Sequence, residues 1–157
     1  MMKKITIFFI ETIKIYNKEE KKMKNSLIYL ITTTTNAVAS NGIIPLQTIA
    51  RRRGNVVEQS GNSIVLNRPG YYKINGSVTV SAQTAGIVTI EAEKSGIAIP
   101  GITSSETITT ATTEVRTLNI SGIIRVVCAE GAASITLVNT GVAINETNVS
   151  LDIEYLG

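Results

Sequence analysis

The residues of this chain best equipped for chemistry are three consecutive arginines, Arg51, Arg52 and Arg53, a thin scatter of carboxylates and one thiol, Cys128. Three guanidiniums in a row make an anion or docking site if they share a face. In an extended segment successive side chains alternate, so Arg51 and Arg53 fall on one side and Arg52 on the other. One copy of the chain therefore presents no flat basic patch. Either the arginines pair with acids on neighbouring strands, with Glu58, Glu91 and Glu93 as candidates, or several copies sum their charge at a trimer axis.

Catalysis is disfavoured by what is missing. The chain has no histidine, which removes Ser-His and Cys-His nucleophile systems and the common zinc sites. Glu91, Glu93, Glu114 and Glu154 leave a glycosidase-like carboxylate pair formally open. Aromatic residues make up only 4% of the chain and tryptophan is absent, so few rings are left to line a sugar cleft or stack on bases. Gly54, Gly61 and Gly70 are isolated, and no helix follows them to bind phosphate. No cofactor or metal is called for. Cys128 closes the apolar run Ile123–Cys128 with no second cysteine in the chain and no His or Lys near it in sequence, which reads as a buried structural thiol.

Other polar motifs have plain explanations. Asn75, Asn119, Asn145 and Asn148 each open an Asn-x-Ser/Thr pattern, as composition alone produces in a chain this rich in Asn, Ser and Thr. The threonine runs at 32–35 and 103–113 read as exposed β-faces or loops that stay soluble without charge, or as contacts for a receptor or glycan.

The elements that must carry these residues are strands. Ile, Val and Thr number 24, 13 and 20 of the 157 residues, and branched β-carbons suit pleated surfaces better than helices. The stretch 71–81 sets the pattern: Ile74, Val78 and Val80 fall on one face, and Tyr71, Lys73, Asn75, Ser77 and Thr79 on the other. Of the two adjacent tyrosines, one packs in the core and the other covers an edge or a neighbouring subunit. Turn dipeptides built on Gly, Pro and Asn recur along the chain, at Asn41-Gly42, Pro69-Gly70, Ser95-Gly96 and Pro100-Gly101 among others. Between them lie candidate strands at 27–33, 43–51, 55–59, 63–67, 71–81, 87–94, 105–111, 114–128, 133–140 and 147–156. Segment 114–128, apolar on both faces towards its end, reads as a central strand. This spacing indicates an all-β antiparallel sandwich. The paired cysteines and tryptophan of immunoglobulin domains are absent, which favours a jelly roll.

Residues 1–25 differ in texture. They carry seven lysines against three glutamates, a balance of +4, whereas residues 26–157 carry eight basic against nine acidic residues. The first segment reads as a basic leader or an over-extended start, with Met23 as a second possible start, and 26–157 as one jelly-roll domain. A nearly neutral domain gives no general pull towards nucleic acid, and no stretch is long and apolar enough for a membrane span.

In this order, Ile43-Ile-Pro-Leu46, Gly61-Asn-Ser-Ile64, Pro69-Gly-Tyr-Tyr-Lys-Ile74, Gly86-Ile-Val-Thr-Ile90, Lys94-Ser-Gly-Ile-Ala-Ile-Pro-Gly101 and a closing apolar strand resemble small TNF/C1q-like jelly-roll proteins of phages and prophages of gut Firmicutes. They are also similar to the C-terminal domains of collagen-like spore-surface proteins, although no Gly-X-Y repeat precedes them here. The match covers residues 27–157. It implies a compact homotrimer displayed on a particle or cell surface; with catalysis disfavoured, the expected role is a phage virion head fibre, capsid decoration or tail-associated adhesion protein, anchored to a capsid, tail or cell-surface protein and able to meet a host receptor or glycan. The alternatives are a spore-coat or cell-surface protein, and, in another class, a secreted lectin or glycan-active enzyme. Alternation nominates Tyr71, Tyr72, Val78, Val126, Leu137, Leu151 and Tyr155 as core or trimer-packing positions.

Overall fold

A computed structural model of the chain describes residues 26–157; the leader, alternative-start and domain-boundary readings of residues 1–25 lie outside the described residues. The strands, in chain order, are β1 (Leu27–Thr32), β2 (Asn36–Val38), β3 (Gly42–Ile43), β4 (Thr48–Arg53), β5 (Val57–Ser60) and β6 (Ser63–Leu66). After these come β7 (Gly70–Ala82), β8 (Gly86–Lys94), β9 (Ile97–Ile108), β10 (Val115–Val126), β11 (Ala133–Asn139) and β12 (Ile144–Tyr155). One sheet runs β10-β7-β12-β1-β4 with β2 added to β12. The other runs β5-β6-β11-β8-β9 with β3 added to β11. All pairings are antiparallel. Chain neighbours cross between the sheets, as in a jelly roll.

Period-2 alternation builds the core. Ile28 and Leu30 of β1, Ile74, Val78 and Val80 of β7, and Val149, Leu151 and Ile153 of β12 turn inward from the first sheet. Val88, Ile90 and Ala92 of β8 and Ile135 and Leu137 of β11 meet them from the second. Gly76 keeps the centre close: a Cβ there would sit 3.0 Å from Leu151 Cδ1 and 3.2 Å from Ile120 Cγ1.

Three expectations are corrected. Segment 114–128 does not form a central strand: β10 pairs only with β7 and closes the sheet as its edge. Its two-faced apolar look comes from the Ile123-Ile124 doublet, of which Ile124 is buried and Ile123 is 55% exposed. Cys128 is exposed. Had the strand continued, alternation after Ile124 and Val126 would have buried it, but the ladder stops at Val126 and a single 3₁₀ turn, Cys128–Glu130, redirects the chain. That turn is fixed by Glu130, which accepts from the Val127 N–H and pairs with Lys94 at 2.8 Å. Finally, Pro100-Gly101 lies within β9 and is not a turn. Proline is tolerated there because β9 is an edge strand with one side free of the ladder.

Candidate docking face

The outward face of the first sheet is read from its register, since residues directly opposite in antiparallel strands share a face. Arg53, Leu27, Glu154, Lys73 and Ile123 form one row across β4, β1, β12, β7 and β10. Arg51, Tyr29, Asp152, Asn75 and Ser121 form the next, followed by Thr48, Ile31, Ser150, Ser77 and Asn119. The middle of the face thus holds short hydroxyl and amide side chains between larger ones. A basin of about 320 Å³ results, lined by Asn75, Ser77, Asn119, Ser121, Ser150 and Asp152 with Gly76 and Ile120. Several lining groups are already bonded to one another: Asn75 Nδ2 donates to Asp152 Oδ2 at 3.2 Å, and the Ser77 and Ser150 hydroxyls lie 2.8 Å apart. Sequence reading missed this basin, because its residues come from three strands that only the register brings together.

The arginines divide between two sides. Arg52 crosses to the second sheet and pairs with Glu58 at 2.5 Å. Arg51 and Arg53 stand on the outward face of the first sheet beside Tyr29 and Leu27. Glu91 and Glu93 belong to β8, which is in the opposite sheet from β4. Arg116 pairs with Glu114, and the Arg125 guanidinium lies over the Tyr71 ring at 5.8 Å. Among the described residues, neither Arg51 nor Arg53 has a carboxylate within salt-bridge distance.

The tyrosine doublet anchors the lower margin. Tyr72 is fully buried and Tyr71 is 48% exposed. The Tyr72 hydroxyl donates to the Arg68 carbonyl at 2.6 Å, and burial pushes its pKa up to about 12. The Tyr155 ring, partly buried, lies 5.0 Å from that of Tyr72 and donates its hydroxyl to the Pro69 carbonyl. Gly70, at φ +141°, makes room for it: a Cβ there would fall 2.7 Å from Tyr155 Cε2. Val78, Val126, Leu137 and Leu151 are buried in the core.

At the other end Glu146 turns inward, fully buried, beside a bulge where the β12–β7 register shifts. Asn36 Nδ2 reaches its Oε1 at 3.4 Å, and Oε2 has no partner. Burial pushes the carboxyl up to about 7. Around Asn36 the first threonine run is tied down, with Thr34 donating to Gln47 Oε1 at 2.6 Å and Thr32 to the Pro45 carbonyl.

Of the four glutamates singled out above, the two that share a face are Glu91 and Glu93, on the outward side of β8. Glu154 stands on β12, while Glu114 is bound into the turn before β10. The Thr109 and Thr110 amides donate to Glu114 and hold its carboxyl down at about 2. No cluster of three or more His, Cys, Asp or Glu that could hold a metal occurs among the described residues. No helix among them is long and apolar enough to cross a membrane.

No protein-family model and no curated protein sequence matches the chain. Its fold, however, is that of solved TNF and C1q-like domains. Murine APRIL superposes with a TM-score of 0.65 at 12% identity, over 83% of this chain and 99% of that one. The globular domain of zebrafish complement 1qA gives 0.59 at 3% identity, over 84% and 98%. The PRD1 vertex protein P5 gives 0.54 at 16% identity, over 84% and 97%.

Proposed function

We propose that the chain is a trimeric, non-enzymatic display module of a phage virion surface, a head fibre, capsid decoration or tail-associated adhesion protein. The observation that carries this reading is the outward face of the β10-β7-β12-β1-β4 sheet. The centre of that face is Ser, Thr and Asn around one carboxylate, Asp152, and is flanked by Tyr29, Ile31, Ile123 and Tyr71, with its other charges, Arg51, Arg53, Lys73, Arg125 and Glu154, lying around that centre. Such a face suits coverage by other subunits. The shared fold with a phage vertex protein supports the virion setting over the alternative of a bacterial cell or spore surface.

Light scattering behind a sizing column tests the assembly: a mass three times that of the chain is expected, and a monomer at all concentrations refutes it. Mass spectrometry of purified particles tests the location. A second reading, a glycan-binding lectin, draws on the same basin of amides, hydroxyls and one carboxylate beside Tyr29. It comes forward if the chain is monomeric and is retained on a glycan array.

A further inference from the structure

Among the described residues, the carboxylate in the basin has no cation within salt-bridge distance, and two arginines of the same face have no carboxylate within it. Among the described residues, Asp152 has only the Asn75 amide within hydrogen-bond distance. Its neighbours across the sheet are Tyr29 and Asn75. Glu154, two residues on, faces Lys73 across β7. Of the six arginines, Arg52 and Arg116 are in ion pairs and Arg125 lies over Tyr71. Arg68 belongs to the turn leading into β7. That leaves Arg51 and Arg53 as the arginines of this face with no acidic or aromatic partner among the described residues.

Within one chain the two sets do not meet. They are separated by β1, a gap of two strand spacings, or about 10 Å, and Tyr29 stands between Arg51 and Asp152. The basin is chemically suited to a guanidinium. Asp152 supplies a carboxylate, Asn75 and Asn119 supply amide oxygens, and the serines supply hydroxyl acceptors, matching a planar group with five N–H donors. Its volume of about 320 Å³ exceeds the bulk of one arginine head. Burying the face without matching these charges would be costly, so any contact that covers it must pair them.

We infer that the basin receives Arg51, with Arg53 beside it, from a second copy of this chain, in a head-to-tail contact that sets the arginine edge of one subunit on the Asp152 column of the next. This rests on the trimer reading above and names the contact that would build it. Arg51 and Arg53 lie on the edge strand β4 and the basin lies nearer the other end of the sheet, so a subunit that gives its edge to one neighbour and its basin to the other makes a heterologous contact, which closes into a ring when the rotation allows.

A charge-swap series in the full chain tests it, read by light scattering across a dilution series, with a thermal melt confirming that each variant folds. Arg51→Asp with Arg53→Asp, and separately Asp152→Arg, are each expected to raise the concentration needed for assembly by about tenfold or more. Asp152→Asn is the milder form and should do so to a lesser degree. All three reversals combined in one chain are expected to recover assembly. If the wild type assembles and the reversals leave its mass unchanged, the inference is overturned and the trimer reading stands. The inference also fails if single reversals dissociate the assembly and the combination does not restore it. A monomeric wild type overturns both.

Discussion

Glu146→Gln should stabilise the fold at neutral and alkaline pH and remove a pH dependence that the wild type carries. Glu146 has no exposed surface, one oxygen without a partner and a single long hydrogen bond from Asn36. No charged neighbour contributes to its shift; burial raises the carboxyl from 4.5 to about 7 and the Asn36 bond opposes this weakly. Below 4.5 the group is protonated in both folded and unfolded chains and has no net effect. Between 4.5 and 7 the unfolded chain has released a proton that the folded chain still holds, so stability falls as pH rises; above about 7 both have lost it and the loss is complete. The displacement corresponds to about 3 kcal/mol. Glutamine keeps the shape, accepts the Asn36 bond and never ionises. The assay is urea unfolding of wild type and variant at pH 4, 6 and 8, compared pairwise so that other carboxylates cancel. The two should be close at pH 4, with the variant ahead by about 2–3 kcal/mol at pH 8. Parallel curves across the whole range, or a wild type that gains on the variant as pH rises, would refute the reasoning.

Other consequences are more local. Gly70→Ala forces a positive-φ side chain against the Tyr155 ring and should cost about 2 kcal/mol or more in urea unfolding. Tyr72→Phe leaves the Arg68 carbonyl short of its 2.6 Å donor and should cost about 1–3 kcal/mol in the same assay. Glu114→Gln, lacking the charge that the Thr109 and Thr110 amides bind, should speed hydrogen exchange across the turn before β10. The wild-type turn should loosen only as pH falls from 4.5 towards 2, because the folded carboxyl is held low. Cys128 should react with a thiol reagent in the native state without denaturant, one equivalent per chain; protection until unfolding would contradict its exposed position.

The fold class was legible because alternation is a local signal. Ile74, Val78 and Val80 against Lys73, Asn75 and Thr79 declare a half-buried strand without any knowledge of its neighbours, and turn dipeptides punctuate the chain at the right intervals. Two kinds of information were not local. Whether an apolar strand is central or at an edge depends on pairing, so the Ile123-Ile124 doublet suggested burial on both sides for a strand that has one neighbour. Where alternation stops also depends on a distant contact: Lys94 grips Glu130 and holds the 3₁₀ turn that brings Cys128 into solvent. The basin was invisible for the same reason. Asn75, Asn119 and Asp152 are far apart in sequence, and the β10-β7-β12 register alone places them together. Tyr71 and Tyr72 were the exception, since adjacency in a strand already sends one ring inward and one out.

The hydroxyl chemistry of the outward face bears on why it could be covered at low cost. An exposed serine or threonine loses its water on docking and needs a replacement partner. Here the replacement is already built in: Ser77 meets Ser150 at 2.8 Å and Thr79 meets Thr117 at 2.9 Å, each across a strand pair. Such ladders can be buried with their hydrogen bonds intact. The second sheet has one comparable pair, Thr89 with Ser105, but sets Glu91 and Glu93 on the same strand and the same outward side. Neither has a cation within salt-bridge distance among the described residues, so covering that face would strip two unpaired carboxylates of water. The first sheet also sets two carboxylates, Asp152 and Glu154, on the outward side of one strand, but it places Lys73 opposite Glu154 and presents Arg51 and Arg53 two strands from Asp152. The two faces of one sandwich therefore differ in the property that decides association, the cost of removing water. On the trimer reading proposed above, that difference selects the β10-β7-β12-β1-β4 side for contact between copies.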